Sequence, residues 1–141
     1  MKIAIINGPN LNLTGKRETK IYGNKTFEEF LNELRQEFTH DFISYFQSNV
    51  EGEIINFLHD ANQHVDAVIL NAGAYTHTSV AIGDAVKAID IPVVEVHLSN
   101  IYSREEFRHV SFVTPNCEGI ISGFGLDSYF LAMNYFKRKF S

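Results

Sequence analysis

Glu95, His97 and Ser99 stand two residues apart in the stretch VVEVHLS (93–99), and alternation along an extended strand puts all three on one face. The rest of the stretch is apolar, so a carboxylate and an imidazole are placed where water is scarce. A buried Glu is costly unless a partner meets its charge. His97 is the natural partner, because a carboxylate would fix its tautomer and raise its basicity, as in an acid-base histidine. The competing reading, a strand with one wet edge, fits the neighbouring valines less well.

A second concentration of polar groups lies in NGPNLNLTGKRETKIYG (7–23), about seventeen residues with no clear hydrophobic period. Connections that long inside a domain are usually functional lids or disordered linkers. Leu11, Leu13, Ile21 and Tyr22 give this one something to pack, which favours a ligand-covering loop. Arg17 and Tyr22 share it; either alone reads as a solvated charge or a packed ring, and only together do they point to a site. His77 follows Tyr75 and Thr76 and fits either a helix entry or a ligand contact. His77, His97 and His109 with Glu95 lack the close spacings of a zinc site. Neither a GxGxxG turn nor a Walker loop follows the first strand, so the usual nucleotide signatures are missing.

The elements that must position these residues follow from hydrophobic pattern. Apolar runs at 3–6, 42–46, 67–70, 93–98 and 119–122 read as strands, the central ones buried on both faces. Helical stripes alternate with them. Thr26 and Glu29 have capping-box spacing before Phe27, Phe30, Leu31, Leu34 and Phe38; Ser48 and Glu51 repeat it before Ile54, Ile55, Leu58 and Ala61. Further helices are expected at 78–89 and 126–140, the second ending in Lys137, Arg138 and Lys139, which suit its negative end. Strands alternating with helices imply an α/β three-layer sandwich, a flavodoxin-like five-stranded parallel sheet of order 2-1-3-4-5. Ligands bind beyond the carboxyl ends of such strands. Asn7 and Asn10, Asn71, and His97, Ser99 and Asn100 collect there, on one rim.

Composition sets limits on partners. The 141 residues suit one catalytic domain, 1–141, and 45% hydrophobic with 21% charged residues is a globular balance. A net charge of −5 gives no reason to expect nucleic acid or an anionic membrane, so an anionic ligand must be held by a few local donors. Cys117 stands alone, consistent with a reducing compartment, and no run approaches the ~20 apolar residues of a membrane span. With no signal-peptide pattern at the N-terminus, a soluble cytoplasmic protein is expected.

Five blocks, NGPNLNLTGKRETKIYG, FQSNVEGEIINFLHDA, ILNAGAYTHTSVAIGDA, PVVEVHLSNIYSREEFRHVS and GFGLDSYFLA, occur in order along nearly the whole chain. Together they resemble the signature blocks of type II 3-dehydroquinate dehydratase. The resemblance implies a flavodoxin-like subunit assembled as a homododecamer of trimers. It implies a hydro-lyase of the shikimate pathway that converts 3-dehydroquinate to 3-dehydroshikimate without cofactor or metal. It also assigns roles. Tyr22 matches the general base, working as a tyrosinate; a free Tyr titrates near ~10, so it needs help worth ~1.4 kcal/mol per unit. Arg17 matches the arginine that supplies the nearby positive charge. Asn10 matches the holder of a water against the enolate oxygen. His97 matches the general acid, with Glu95 orienting it. Asn71, Leu98 and Ser99 match a carboxylate cradle, His77 and Arg108 contacts to substrate hydroxyls, and Asp84 a residue reaching a neighbouring subunit's site. A non-catalytic homologue binding a polyol carboxylate is the alternative; intact Tyr22, Arg17 and His97 argue against it, since a binding module need not keep base and acid.

Three positions depart from the family pattern. Thr19 replaces a usual Pro, removing a φ restraint from a lid expected at about 14–25, with its mobile part from Thr14. Gly83 replaces a common Arg inside an expected helix, where Gly costs about 1 kcal/mol against Ala. Val50 stands where His is common.

Overall fold

The five apolar runs form one parallel sheet in the order β2-β1-β3-β4-β5, where β1 is Lys2–Asn7, β2 Phe42–Gln47, β3 Ala67–Asn71, β4 Val93–His97 and β5 Gly119–Ser122. This is the flavodoxin-like order expected from sequence. The computed structural model describes residues 1–16 and 19–141, the side chains of Ile21 and Tyr22 excepted. Helices α1 (Thr19–Tyr22), α2 (Phe27–Glu37), α3 (Glu51–His64), α4 (Val80–Ala88) and α5 (Asp127–Lys139) accompany the strands. Among the described residues no helix is long and apolar enough to cross a membrane.

Strand alternation divides the core between the two faces of the sheet. Ile3, Ile5, Ala67, Ile69, Val94 and Val96 pack against α2 and α5 through Phe27, Phe30, Leu34, Tyr129, Met133 and Phe136. Ala4, Ile6, Val68, Leu70 and Val93 pack against α3 and α4 through Ile54, Leu58, Ile82 and Val86. One cluster is rich in rings and the other is aliphatic. Residues at the strand ends inherit these directions, so Asn7 and Asn71 turn to the ring-rich side, and Glu95 and His97 to the aliphatic side.

Helix starts test the capping patterns. Thr26 caps α2 by accepting from Glu29 N–H at 3.2 Å, as its spacing predicts. Ser48 does not pair with Glu51. The N-cap of α3 is Val50, and the Ser48 hydroxyl instead accepts from Val50 N–H at 2.9 Å and donates to Glu53. The serine lies two residues before the N-cap and organises the turn before the helix. The helix expected from 78 begins at Val80, because a 3-10 turn, Gly73–His77, comes first and Ser79 caps α4 through Ile82 N–H at 2.9 Å.

Gly83 also reads differently in three dimensions. A Cβ at this position of α4 would lie 2.2 Å from the Phe112 carbonyl oxygen. The segment after β4 presses its backbone onto the helix there, and Asn116 Nδ2 donates to the Gly83 carbonyl at 3.0 Å. The helix gives up propensity to let a loop approach.

Candidate active site

Register brings the rim residues together. Asn7 of β1 pairs with Gln47 of β2 and with Asn71 of β3, so three amide side chains end adjacent strands at one level. The chain leaving β1 must then pass close to the chain leaving β3. Gly8 permits this, since a Cβ there would stand 2.5 Å from the Ala72 carbonyl oxygen. Asn10 adopts a left-handed φ of 68°, a conformation asparagine tolerates better than most residues. It is held there by its N–H, which donates to Asn49 Oδ1 at 3.0 Å, while Gln47 Nε2 donates to the Gly8 carbonyl at 3.1 Å. The end of β2 thus anchors the part of the loop that presents Asn10.

Residues 11–13 form a 3-10 turn rather than open loop. Thr14, the expected start of a mobile lid, is buried and donates from Oγ1 to the Leu11 carbonyl at 2.7 Å. It lines the cavity at this rim. Beyond it, Gly15 runs so near Lys25 that a Cβ would lie 2.6 Å from the Lys25 carbonyl oxygen, so the two ends of the expected lid touch. Arg17 lies outside the described residues. Tyr22 ends the helical turn Thr19–Tyr22, and its side chain is likewise outside the description.

The strand-four pair is present as its spacing predicts. His97 Nε2 lies 2.6 Å from Glu95 Oε2, and Glu95 has no solvent exposure. An ionised carboxylate only accepts, so Nε2 carries the hydrogen and Nδ1 is the nitrogen left for other work. The other Glu95 oxygen accepts from Thr114 Oγ1 at 2.8 Å and Ser111 Oγ at 3.3 Å. Ser111 Oγ in turn accepts from the backbone of Val113 and Thr114, which folds the loop around the carboxylate. Sequence spacing could not find these hydroxyls, which approach from 16 and 19 residues away.

A cavity of about 140 Å³ opens at this rim, lined by Asn10, Asn71, His97, Leu98, Ser99 and Arg108, together with Pro9, Leu11, Thr14, Gly73, Ala74, Ile101 and Arg104. Most of the residues singled out from sequence therefore meet in one place. Glu95 stands behind His97. His77 is outside the lining, with its ring stacked 6.1 Å from that of His97 and its Nδ1 2.7 Å from the Val110 carbonyl. Burial, then the nearby His97 and Arg108, push the His77 imidazole below its usual range, against the Val110 carbonyl. Asp84 is exposed on α4 and does not line the cavity. Arg104 was not foreseen; it follows β4 on an irregular segment with no periodicity to mark it, and its Nη1 donates to Ser99 Oγ at 3.3 Å. Arg108 pairs with Glu105, whose carboxyl that guanidinium holds below the usual range. Two guanidiniums, two amides and an imidazole suit a small anionic, hydroxyl-rich ligand on a chain of net negative charge.

Comparison with known proteins places the chain and its fold among relatives. The family description Dehydroquinase class II matches residues 1–137. A 3-dehydroquinate dehydratase from Clostridium perfringens is 55% identical over 142 residues, covering 99% of each chain. The crystal structure of a type II dehydroquinase from Butyrivibrio crossotus superposes with a TM-score of 0.92 at 44% identity, covering 96% of both chains. Another, from Propionibacterium acnes, gives 0.91 at 36% identity, covering 96% of this chain and 94% of that one.

Proposed function

The chain belongs to the dehydroquinase class II family, enzymes of the 3-dehydroquinate dehydratase type, and from that premise we propose how it performs an anti-elimination. Tyr22, as tyrosinate, takes a proton from C2 of 3-dehydroquinate, beside the ketone. The electron pair passes into an enolate, whose oxygen faces a water held by Asn10. The enolate collapses to the enone of 3-dehydroshikimate as the C1 hydroxyl leaves; His97, entering the step as an imidazolium whose Nε2 hydrogen stays directed at Glu95, gives the hydroxyl its Nδ1 proton, which completes water and leaves the ring neutral. Arg17 favours the charged form of the base. Glu95 keeps the hydrogen on His97 Nε2. Asn71, with backbone N–H groups of Leu98 and Ser99, receives the carboxylate, while His77 and Arg108 meet the ring hydroxyls.

The observation that carries this reading is the buried Glu95–His97 pair, 2.6 Å apart, with His97 in the wall of the one cavity that also gathers Asn10, Asn71, Ser99 and Arg108. Adding 3-dehydroquinate should produce the ultraviolet absorbance of a conjugated enone. Tyr22→Phe should lower that rate by about 10²-fold or more, with the fold unchanged by circular dichroism. Turnover by Tyr22→Phe close to the unaltered protein would remove the base assignment; substrate binding without any turnover would favour a non-catalytic polyol-carboxylate binder.

The same reading takes residues 1–141 as one catalytic domain with a lid at about 14–25, working in the cytoplasm without metal or cofactor. It includes self-association to a homododecamer of trimers. The exposed position of Asp84, outside its own chain's cavity, supports a role at a neighbouring subunit. Light scattering measures the assembly, and a fully active monomer would end that part of the reading.

A further inference from the structure

Tyr129 of α5 has no solvent exposure, and its ring packs against Phe27 and Phe30 of α2. A phenol so enclosed needs partners for its hydroxyl. It has two: it donates to Asn7 Oδ1 at 2.7 Å and accepts from Asn71 Nδ2 at 2.9 Å. A hydroxyl has one hydrogen. Once that goes to Asn7, the direction of the second bond is fixed, and the Asn71 nitrogen rather than its oxygen must face Tyr129. The Asn71 oxygen is engaged on its other side by Gly73 N–H at 3.1 Å. Burial raises the Tyr129 phenol well above its ordinary range, so its proton stays in place.

Asn71 is also in the cavity wall, and Asn7 and Tyr129 are not. We propose that Tyr129 is a positioning residue: through the one-way chain Asn71 to Tyr129 to Asn7 it orients the Asn71 amide so that its remaining N–H faces the substrate carboxylate. Without the phenol, the Gly73 N–H at 3.1 Å is left as the one described contact that holds the amide against turning. A turned Asn71 would set its oxygen against the carboxylate, a repulsive contact instead of a donor. The inference rests on the reading of the cavity as a dehydroquinate site.

Tyr129→Phe keeps the ring among Phe27 and Phe30 and removes the hydroxyl. KM for 3-dehydroquinate should rise about ten-fold while kcat stays within about three-fold. Asn7→Leu removes the acceptor that fixes the direction of the chain, from outside the cavity. It should raise KM in the same sense, by about three-fold or more. Lower melting temperatures with unchanged KM in both variants would mean a merely structural role and overturn the proposal. A raised KM in Tyr129→Phe alone would overturn the directional argument. If neither variant folds, a crystal structure of the unaltered protein with 3-dehydroshikimate decides. The expected result puts the Asn71 nitrogen within hydrogen-bond distance of both the phenol and the carboxylate; a carboxylate seated away from Asn71 overturns it. Lack of turnover by the unaltered protein would strike the functional reading instead, and so is told apart.

Discussion

Two polar networks reach the cavity from opposite faces of the sheet, and they are built differently. On the ring-rich face, Asn7, Tyr129 and Asn71 form a neutral chain, each member nearly or wholly buried and locked by α5. On the aliphatic face, His97 and Glu95 carry the ionisable groups, and the outer partners Ser111 and Thr114 are half-buried on a loop. A chain of neutral amides and a phenol costs less to seal under a helix than a charge does, even with Asn7 Nδ2 lacking a hydrogen-bond partner among the described residues. A carboxylate cannot be sealed so cheaply and is surrounded by donors instead. In the proposed mechanism one face orients the ligand and the other moves a proton.

That division predicts where damage will appear. The largest effect is expected for Glu95→Gln. The serine and threonine hydroxyls keep the side-chain oxygen, so the new amide N–H group meets His97 Nε2, and the ring, without a carboxylate to hold its positive form, is left as a neutral and far weaker acid. Turnover should fall by about 10²–10⁴-fold with KM little changed. A rise in KM alone would blur the two faces into one role. Gly83→Ala should come next. Helix propensity favours Ala, yet the methyl would lie 2.2 Å from the Phe112 carbonyl and displace the loop that carries Ser111 and Thr114. Loss of about 1–3 kcal/mol in chemical denaturation is expected, with lowered kcat; a stabilised, fully active variant would show that the loop yields freely.

The smallest effect concerns pH. His77, on the charged side, has a folded-state pKa below its unfolded value of 6.5. Below 6.5 the unfolded chain therefore binds more protons, so the stability His77 contributes is present above that value and lost as pH falls toward the folded one. Stability should drop more between about pH 7 and about pH 5.5 in the unaltered protein than in His77→Asn. Equal slopes would mean that the imidazole is not kept neutral.

Whatever depended on period was legible in the sequence. The sheet order, the rim amides and the Glu95–His97 pair all follow from alternation in strands and stripes in helices. Groups that arrive from afar were not legible. Ser111 and Thr114 reach Glu95 from a segment with no repeat, and Arg104 enters the cavity from the same irregular stretch. Tyr129 sits on a recognisable helix, but nothing in that helix reveals that its hydroxyl meets two strand ends. Gly83 was misleading for a related reason: propensity counts what a residue does to its own helix, while the approach of Phe112 is a tertiary fact. Ser48 satisfied a capping pattern in spacing and used its hydroxyl one turn earlier.

The bond between Tyr129 and Asn7 joins residues 122 positions apart. On a growing chain β1 is made well before α5, so Asn7 and Asn71 wait without their buried partner until that helix docks. Contacts of such long sequence separation close late, after the entropy of the intervening loop has been overcome. The sheet can pair its central strands well before then, but the floor beneath the ligand is finished only when the C-terminal helix arrives. Docking of α5 and completion of the site become nearly one event.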